Sequence, residues 1–341
     1  MRRRAGVAVA AARWQAGAMS ESLDATGETA APGSPPATGM VWVPGGTFVM
    51  GSDDHYPEEA PAHQVRVDGF WIDRCTVTND EFARFVKATG HVTLAERAPD
   101  AADYPDARPD MLVAASSVFR RPRHRVSLDN PYEWWTWVPG ANWRHPRGPQ
   151  SSLKALGDHP AVHVAWRDVE AYAAWAGKDL PTEAEWERAA WGGREGAEFA
   201  WGDDLTPGGR HVANVWQGDF PHHNTVDDGF EYTAPVRSFP PNGYGLFQVC
   251  GNVWEWTADW YQDHGDGLPD QPCCTIDNPR GPGREASVDP GDPAGIARKV
   301  MKGGSHLCAL NYCRRYRPAA RMAQAVDTST SHLGFRCIVR P

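Results

Sequence analysis

The sequence is short of positive charge. Lys and Arg number 34 against 43 Asp and Glu over 341 residues, a formal net charge of −9. A general nucleic-acid binder needs a cationic face, so the balance argues against that class. The basic clusters at Arg120 to Arg125 and Arg314 to Arg321 are short enough to read as solvated faces. No apolar run approaches the length of a membrane span. There is no Asn-X-Ser/Thr sequon, no dinucleotide fingerprint, no His-rich iron triad and no repeat of solenoid period. Cysteine is sparse and odd in number: Cys75, Cys250, Cys273, Cys274, Cys308, Cys313 and Cys337. Their spacing forms no disulfide ladder, which favours a reducing compartment, the cytoplasm.

What the sequence does have is 16 Trp, 34 Gly and 29 Pro. That mixture is typical neither of a coiled coil nor of a helix bundle and suggests a loop-rich α+β protein with long connections pinned by aromatic anchors. Met1-Arg2-Arg3-Arg4 and the Ala-rich run from Ala5 to Ala12 resemble the start of a signal peptide. The run is broken at Arg13, and Met19 is read as the true start. Residues 1–38 carry few large apolar groups and are expected to be a disordered extension, with an ordered unit over 39–341. Val41-Trp42-Val43 and Thr47 to Met50 predict two strands around the Pro44-Gly45-Gly46 turn. Val65, Val67 and Phe70-Trp71-Ile72 predict another strand. A capping box at Thr78 to Glu81 predicts a helix over 79–87, and a second at Thr182 to Glu185 predicts one reaching Trp191. A further helix is expected over 168–176, stopped by Gly177. The stretches 98–130 and 265–295 read as long surface loops.

The segment that carries chemistry runs from Lys302 to Arg317. Cys308 and Cys313 stand five positions apart among glycine, aromatic and cationic residues. A helix would point them in diverging directions, so a loop or strand suits them better. Nearby Arg and Lys would favour thiolates. Two thiolates suit a soft metal such as Cu(I) or a redox disulfide, while inert burial is the third reading.

With these residues in hand, the chain resembles the sulfatase-modifying factor family of formylglycine-generating enzymes. The matching pieces include Val43-Pro44-Gly45-Gly46-Thr47-Phe48, Leu180-Pro181-Thr182-Glu183-Ala184-Glu185-Trp186 and Asn214-Val215-Trp216. Gly251-Asn252-Val253-Trp254-Glu255-Trp256 and Gly334-Phe335-Arg336-Cys337 complete the frame. The specific part is Gly303-Gly304-Ser305-X-X-Cys308 followed by Tyr312-Cys313. The resemblance implies a fold related to C-type lectins, low in regular secondary structure. It implies O2-dependent oxidation of a cysteine, in a Cys-X-Pro-X-Arg type segment of a sulfatase, to Cα-formylglycine. Cu(I) on Cys308 and Cys313 and a thiol reductant are implied with it.

Ser305, Tyr312 and Trp254 are implied to line that centre, with Asn311 a weaker candidate. One structural Ca2+ is implied on Asn214, the Val215 carbonyl, Asp228 and the Phe230 carbonyl. A second is implied on Gln248, the carbonyls of Gly251 and Val253, and Glu255. Asp100 is expected to hold the substrate Arg, and Arg144 and His145 to shape the peptide groove. Where animal members place disulfide partners this chain has Ala173, Ala190 and Pro318, which leaves Cys337 unpaired. The partners expected are an unfolded sulfatase, O2 and a thiol, with the protein acting as a monomer and without nucleic acid or membrane.

Overall fold

The structure, a computed structural model, describes residue 31 and residues 33–267, 274–292 and 294–341. The expected N-terminal extension lies mostly outside the described residues, as does Cys273. Strand β1 (Met40–Val43) and strand β2 (Gly46–Met50) flank the predicted turn. They do not pair with each other. β1 is antiparallel to β4 (Phe70–Asp73), and β2 to β3 (His63–Val67). The single strand expected over 65–72 is therefore two, broken at Asp68-Gly69. The cause is a close approach of the two breaks. A Cβ on Gly45 would come within 2.7 Å of the Val67 carbonyl, and one on Gly69 within 2.3 Å of the Trp42 ring. Both strands bend together there and enter different sheets.

The helices follow their capping signals. α1 (Asn79–Thr89) has the Thr78–Glu81 box and ends at Gly90 with φ +70°. α2 (Trp166–Trp175) begins two residues before the expected position. Asp168 is its third residue and accepts from the Ala165 amide at 2.9 Å. α3 (Glu183–Trp191) carries the Thr182–Glu185 box and stops at Gly192.

Within the expected excursion over 98–130 lies a strand, β5 (Ala115–Phe119), antiparallel to β6 (Trp135–Pro139). Its small residues Ala115 and Ser116 are buried, and that is why its apolar signal is weak. The four-stranded sheet that positions the cysteine segment has the order β10-β9-β7-β11. It is built from β7 (Trp254–Trp260), β9 (Arg298–Lys302), β10 (Arg321–Ala325) and β11 (Leu333–Gly334). Two short strands finish the other sheets: β8 (Ile276–Asp277) runs parallel to β3, and β12 (Ile338–Val339) is antiparallel to β4.

Two apolar clusters fill the interior. The larger holds Phe82, Tyr172, Trp186, Trp254, Trp256 and Phe335 with Cys250, Cys308, Cys313 and Cys337. The smaller holds Phe119, Trp134, Trp216, Phe220, Leu307 and Ala309. Each large apolar side chain among them contributes roughly 1.5–3 kcal/mol when fully buried. The seam between the clusters falls on the cysteine segment. Leu307 and Ala309 belong to one side, and Cys308 between them belongs to the other.

Candidate active site

β9 delivers the chain to the site through a buried cation. Lys302 is fully enclosed, and its Nζ donates to Glu187 Oε2 at 2.8 Å and to the Ala319 carbonyl at 3.2 Å. Gly303 and Gly304 follow, both in the left-handed region at φ +92° and +66°. A Cβ on Gly303 would stand 2.6 Å from the Val249 carbonyl, and one on Gly304 2.7 Å from the Arg315 carbonyl. The Gly-Gly pair is thus required both by its dihedrals and by a backbone crossing.

Ser305 then turns the chain. Its Oγ accepts from the Leu307 amide at 3.2 Å and its carbonyl from the Cys308 amide at 2.9 Å. The Ala309 carbonyl accepts from the amides of Tyr312 and Cys313 at 3.1 and 2.9 Å. This tight loop brings the two sulfurs together: Cys308 Sγ and Cys313 Sγ are 2.9 Å apart, both buried, and both are free thiols.

The two sulfurs are not equivalent. The Cys308 hydrogen bond and the Arg315 guanidinium hold the Cys313 thiol below its ordinary pKa. Burial, and then the neighbouring Cys313, push Cys308 well above it. The pair therefore loses its first proton as a Cys313 thiolate that accepts from the Cys308 thiol. Arg315 Nη1 lies 3.9 Å from Cys313 Sγ.

A turn over 56–59, from the far end of the chain, fixes that arginine. Glu58 Oε1 accepts from Arg315 Nε at 2.9 Å, and the guanidinium carbon sits 3.8 Å from the centre of the Tyr56 ring. Tyr56 Oη also accepts from the Arg314 amide at 2.9 Å. These supports lie 258 and 257 positions from Arg314 and Arg315, the residues they hold, and have no motif of their own, so reasoning from the sequence missed them. Asn252, inside the Gly-Asn-Val motif, was missed too. Its carbonyl accepts from the His306 amide and from His306 Nδ1, and its side chain accepts from the Ala234 amide at 2.8 Å.

Among the implied lining residues, Tyr312 is half-exposed and stacked on Phe220 with centroids 4.5 Å apart. Burial of its ring and then the adjacent cysteines push its phenol up to about 12, so the hydroxyl stays protonated at neutral pH. Trp254 is buried in the same cluster as both cysteines. Asn311 is a clasp: it accepts from the Phe220 amide and donates to Asp219 Oδ1 at 3.0 Å.

The substrate-side residues lie elsewhere. Asp100 is exposed, accepts from the Ala102 amide, and lines a cavity of about 480 Å³ with Asp103, Tyr104, Trp137 and Asp327. Arg144 pairs with Glu96 and lies 4.2 Å above the Trp143 ring. The ring of His145 bonds to the Ser151 carbonyl. Both residues brace the turn over 142–148.

The donor sets can be weighed against the metals. Two adjacent soft sulfurs fit Cu(I). Among the described residues no three of His, Cys, Asp and Glu are gathered around one point, so no harder cage competes there. The first oxygen set also fits a hard cation. Asn214 Oδ1 and Asp228 Oδ2 are buried acceptors without a hydrogen-bond partner, and burial raises the Asp228 pKa. Gln217 links the set, donating to the Val215 carbonyl and accepting from the Asp228 amide.

The second set fits less well. Gln248 Oε1 is unpartnered, but Glu255 is engaged. Trp186 Nε1 donates to its Oε2 at 2.8 Å, and Arg336 donates to both oxygens at 2.7 Å. Three of about four lone-pair positions are thereby used.

Residues 27–341 match the family described as sulfatase-modifying factor enzyme 1-like domain. The chain is 48% identical over 305 residues to the formylglycine-generating enzyme of Mycobacterium tuberculosis, covering 89% of this chain and 98% of that protein. It is 49% identical over 310 residues to the formylglycine-generating enzyme of Thermomonospora curvata, covering 89% and 94%. Of solved structures, PvdO from Pseudomonas aeruginosa aligns over 88% of this chain and 93% of its own, at 26% identity and a TM-score of 0.56.

Proposed function

The chain belongs to the sulfatase-modifying factor family, and on that premise we propose how it works at the Cys308–Cys313 pair. It oxidises the cysteine of a Cys-X-Pro-X-Arg type segment in a sulfatase to Cα-formylglycine. The observation that carries this reading is the pair of free thiols 2.9 Å apart, buried at the seam of the two clusters on the Gly303-Gly304-Ser305 turn.

The reaction balances with one substrate thiol, one O2 and a pair of reductant thiols entering. One aldehyde, one hydrogen sulfide, one reductant disulfide and one water leave. Two electrons come from the substrate and two from the thiol reductant, and the carbonyl oxygen enters by hydrolysis of a thioaldehyde. Bound by Cys308 and Cys313, Cu(I) would supply the one-electron chemistry that lets triplet O2 react with a thiol. The protein does the remaining work. Cys313 gives up its proton first, and Arg315 stabilises the resulting negative charge. Tyr312 keeps a protonated hydroxyl at the rim. The Ser305 hydroxyl accepts from the Leu307 amide, which leaves its own proton to orient oxygen or water. Trp254 walls the pocket and excludes bulk water.

The cavity at Asp100, which Asp103 and Asp327 line together with Arg97 and Arg167, holds the substrate arginine against the Asp100 carboxylate. Arg144 and His145 shape the groove through the turn they brace. Ca2+ is held by Asn214, Asp228 and the carbonyls of Val215 and Phe230. Gln248, the carbonyls of Gly251 and Val253, and the remaining lone pair of Glu255 form a weaker second site. The catalytic unit is residues 39–341, acting as a monomer. Cys337 is a buried free thiol, and this supports a cytoplasmic enzyme that meets sulfatases before they fold. No described helix is long and apolar enough to cross a membrane.

The test is direct. The copper-loaded protein is incubated with a Cys-X-Pro-X-Arg peptide, O2 and a thiol. Mass spectrometry should show the aldehyde, absent without O2 and in Cys313→Ser. Oxidation of the peptide thiol to a disulfide without O2 and without aldehyde, through a reversible Cys308–Cys313 disulfide, would instead establish a thiol–disulfide oxidoreductase.

A further inference from the structure

The turn that clamps the cysteine segment has a second face. The Glu59 carbonyl is 3.0 Å from His264 Nδ1, and the Pro61 carbonyl is 2.9 Å from His63 Nδ1. A carbonyl only accepts, so in both rings the hydrogen is on Nδ1, and in the neutral rings Nε2 is a bare lone pair. Nε2 of His264 is buried without a hydrogen-bond partner, on a side chain only 6% exposed. The two rings meet edge to face with centroids 4.8 Å apart at 84°. Both line a cavity of about 380 Å³ whose walls also include Glu183, Asp259, Asp263 and Arg321.

Glu183 is within ion-pair distance of His264, a pairing that needs the ring protonated. His264 Nε2 stands 3.7 Å from Glu183 Oε1, beyond hydrogen-bond range. Glu183 is already satisfied, holding Arg321 through two hydrogen bonds of 2.7 and 2.9 Å with Lys302 at 3.5 Å. Burial lowers the pKa of His63, with the Pro61 carbonyl opposing and the neighbouring His264 lowering it further, and two imidazolium ions at this separation would repel. Space for the His264 ring is itself arranged: a Cβ on Gly51 would come within 3.0 Å of its Nδ1.

We propose that His63 and His264 form a binding site for one borderline divalent metal ion of the Zn2+ class, in the cavity between β3, α3 and β7. Two imidazoles that line one cavity, each fixed by an Nδ1–H bond to a main-chain carbonyl, and one of them with an unpartnered buried Nε2, have the outer-shell arrangement of metal-binding histidines. Nitrogen donors select Zn2+, Ni2+ or Cu2+ over Ca2+ and Mg2+. No third His, Cys, Asp or Glu among the described residues is already gathered with them, so water completes the shell. The site is separate from the cysteines but shares their support. The same turn that offers the carbonyls of Glu59 and Pro61 to these histidines sends the Glu58 and Glu59 side chains to Arg315 and Arg317.

The experiment uses the full chain carrying Cys308→Ser and Cys313→Ser, which removes the catalytic thiols as competing ligands. Zn2+ is titrated by calorimetry and Co2+ by visible absorption. The expected result is one ion per chain, a melting temperature that rises with free Zn2+, and affinity at least about tenfold weaker in both His63→Gln and His264→Gln, as loss of a ligand requires. His63 is only partly buried, so His63→Gln keeps the test valid even if His264→Gln misfolds, with circular dichroism as the check on folding. No saturable binding in the serine background, or binding untouched by His63→Gln in a folded protein, overturns the site.

Discussion

Glu59 and Arg317 close a buried ion pair that joins the turn over 56–59 to the segment behind the cysteines. Arg317 Nη1 donates to Glu59 Oε2 at 2.8 Å, and both side chains are shut off from solvent. Breaking one side of such a pair leaves a buried charge alone, at a cost of about 3–5 kcal/mol. Glu59→Ala should lose that much in urea unfolding and lower turnover, because Glu58 and Tyr56 on the same turn hold Arg315 beside Cys313. A loss below about 1 kcal/mol would show that solvent reaches the pair.

The two cysteines should fail differently as nucleophiles and alike as ligands. Cys313→Ser and Cys308→Ser should each remove tight Cu(I) binding and nearly all turnover, since one thiolate cannot replace two. In the copper-free protein, iodoacetamide should modify Cys313 before Cys308, and Arg315→Met should move that reaction to higher pH. Full activity in Cys313→Ser would sink the two-sulfur centre.

Calcium should govern stability and leave chemistry alone. An ion on Asn214 and Asp228 would bind only the folded chain and so would stabilise by mass action, by about 2.7 kcal/mol at roughly a hundredfold excess over Kd. Chelator should lower the melting temperature of the wild type, and Asp228→Ala should blunt that response. A melting curve indifferent to chelator and to added Ca2+, after prolonged dialysis, would count against the site.

Buried histidines should contribute to the acid limb of stability. Burial pushes His163 and His306 down to about 4, with hydrogen bonds to the Pro146 and Asn252 carbonyls opposing. Burial and then the other two rings lower His332 to about 3. Unfolded, each titrates near about 6.5. Between these values the unfolded chain binds protons that the folded chain refuses, so stability is full above about pH 6.5 and falls towards about pH 4. Asp259 has the opposite sign. Burial raises it to about 7, so its share of stability falls as pH rises from about 4 to about 7. His163→Gln should flatten the acid limb of a stability profile, and Asp259→Asn should gain most above about pH 7. A His163→Gln profile parallel to the wild type would refute the assignment.

The free thiols invite a compartment test. Burial places the Cys337 thiol well above its usual pKa, so it should resist alkylation in the native protein and react fully after denaturation. Cys337 recovered in a disulfide from cells would contradict a reducing location.

The parts of this protein legible in its sequence are those held by neighbours a few residues apart. The boxes at Thr78–Glu81 and Thr182–Glu185 and the stops at Gly90 and Gly192 each rest on a handful of consecutive residues. The Gly303-Gly304-Ser305 turn and the Cys308–Cys313 spacing were legible for the same reason, and with them the family and its chemistry. Tertiary packing alone decided that β1 and β2 part company, because that rests on Gly69 meeting Trp42 and Gly45 meeting Val67. It alone revealed β5, whose small buried residues carry almost no pattern. It also decided which cysteine gives up its proton, since Arg315 is aimed by Glu58 from the opposite end of the chain. The meeting of His63 with His264 is of the same kind. A hydrogen bond between near neighbours is encoded by their identities, whereas a contact between distant segments exists only once the clusters have packed and fixed which surfaces meet.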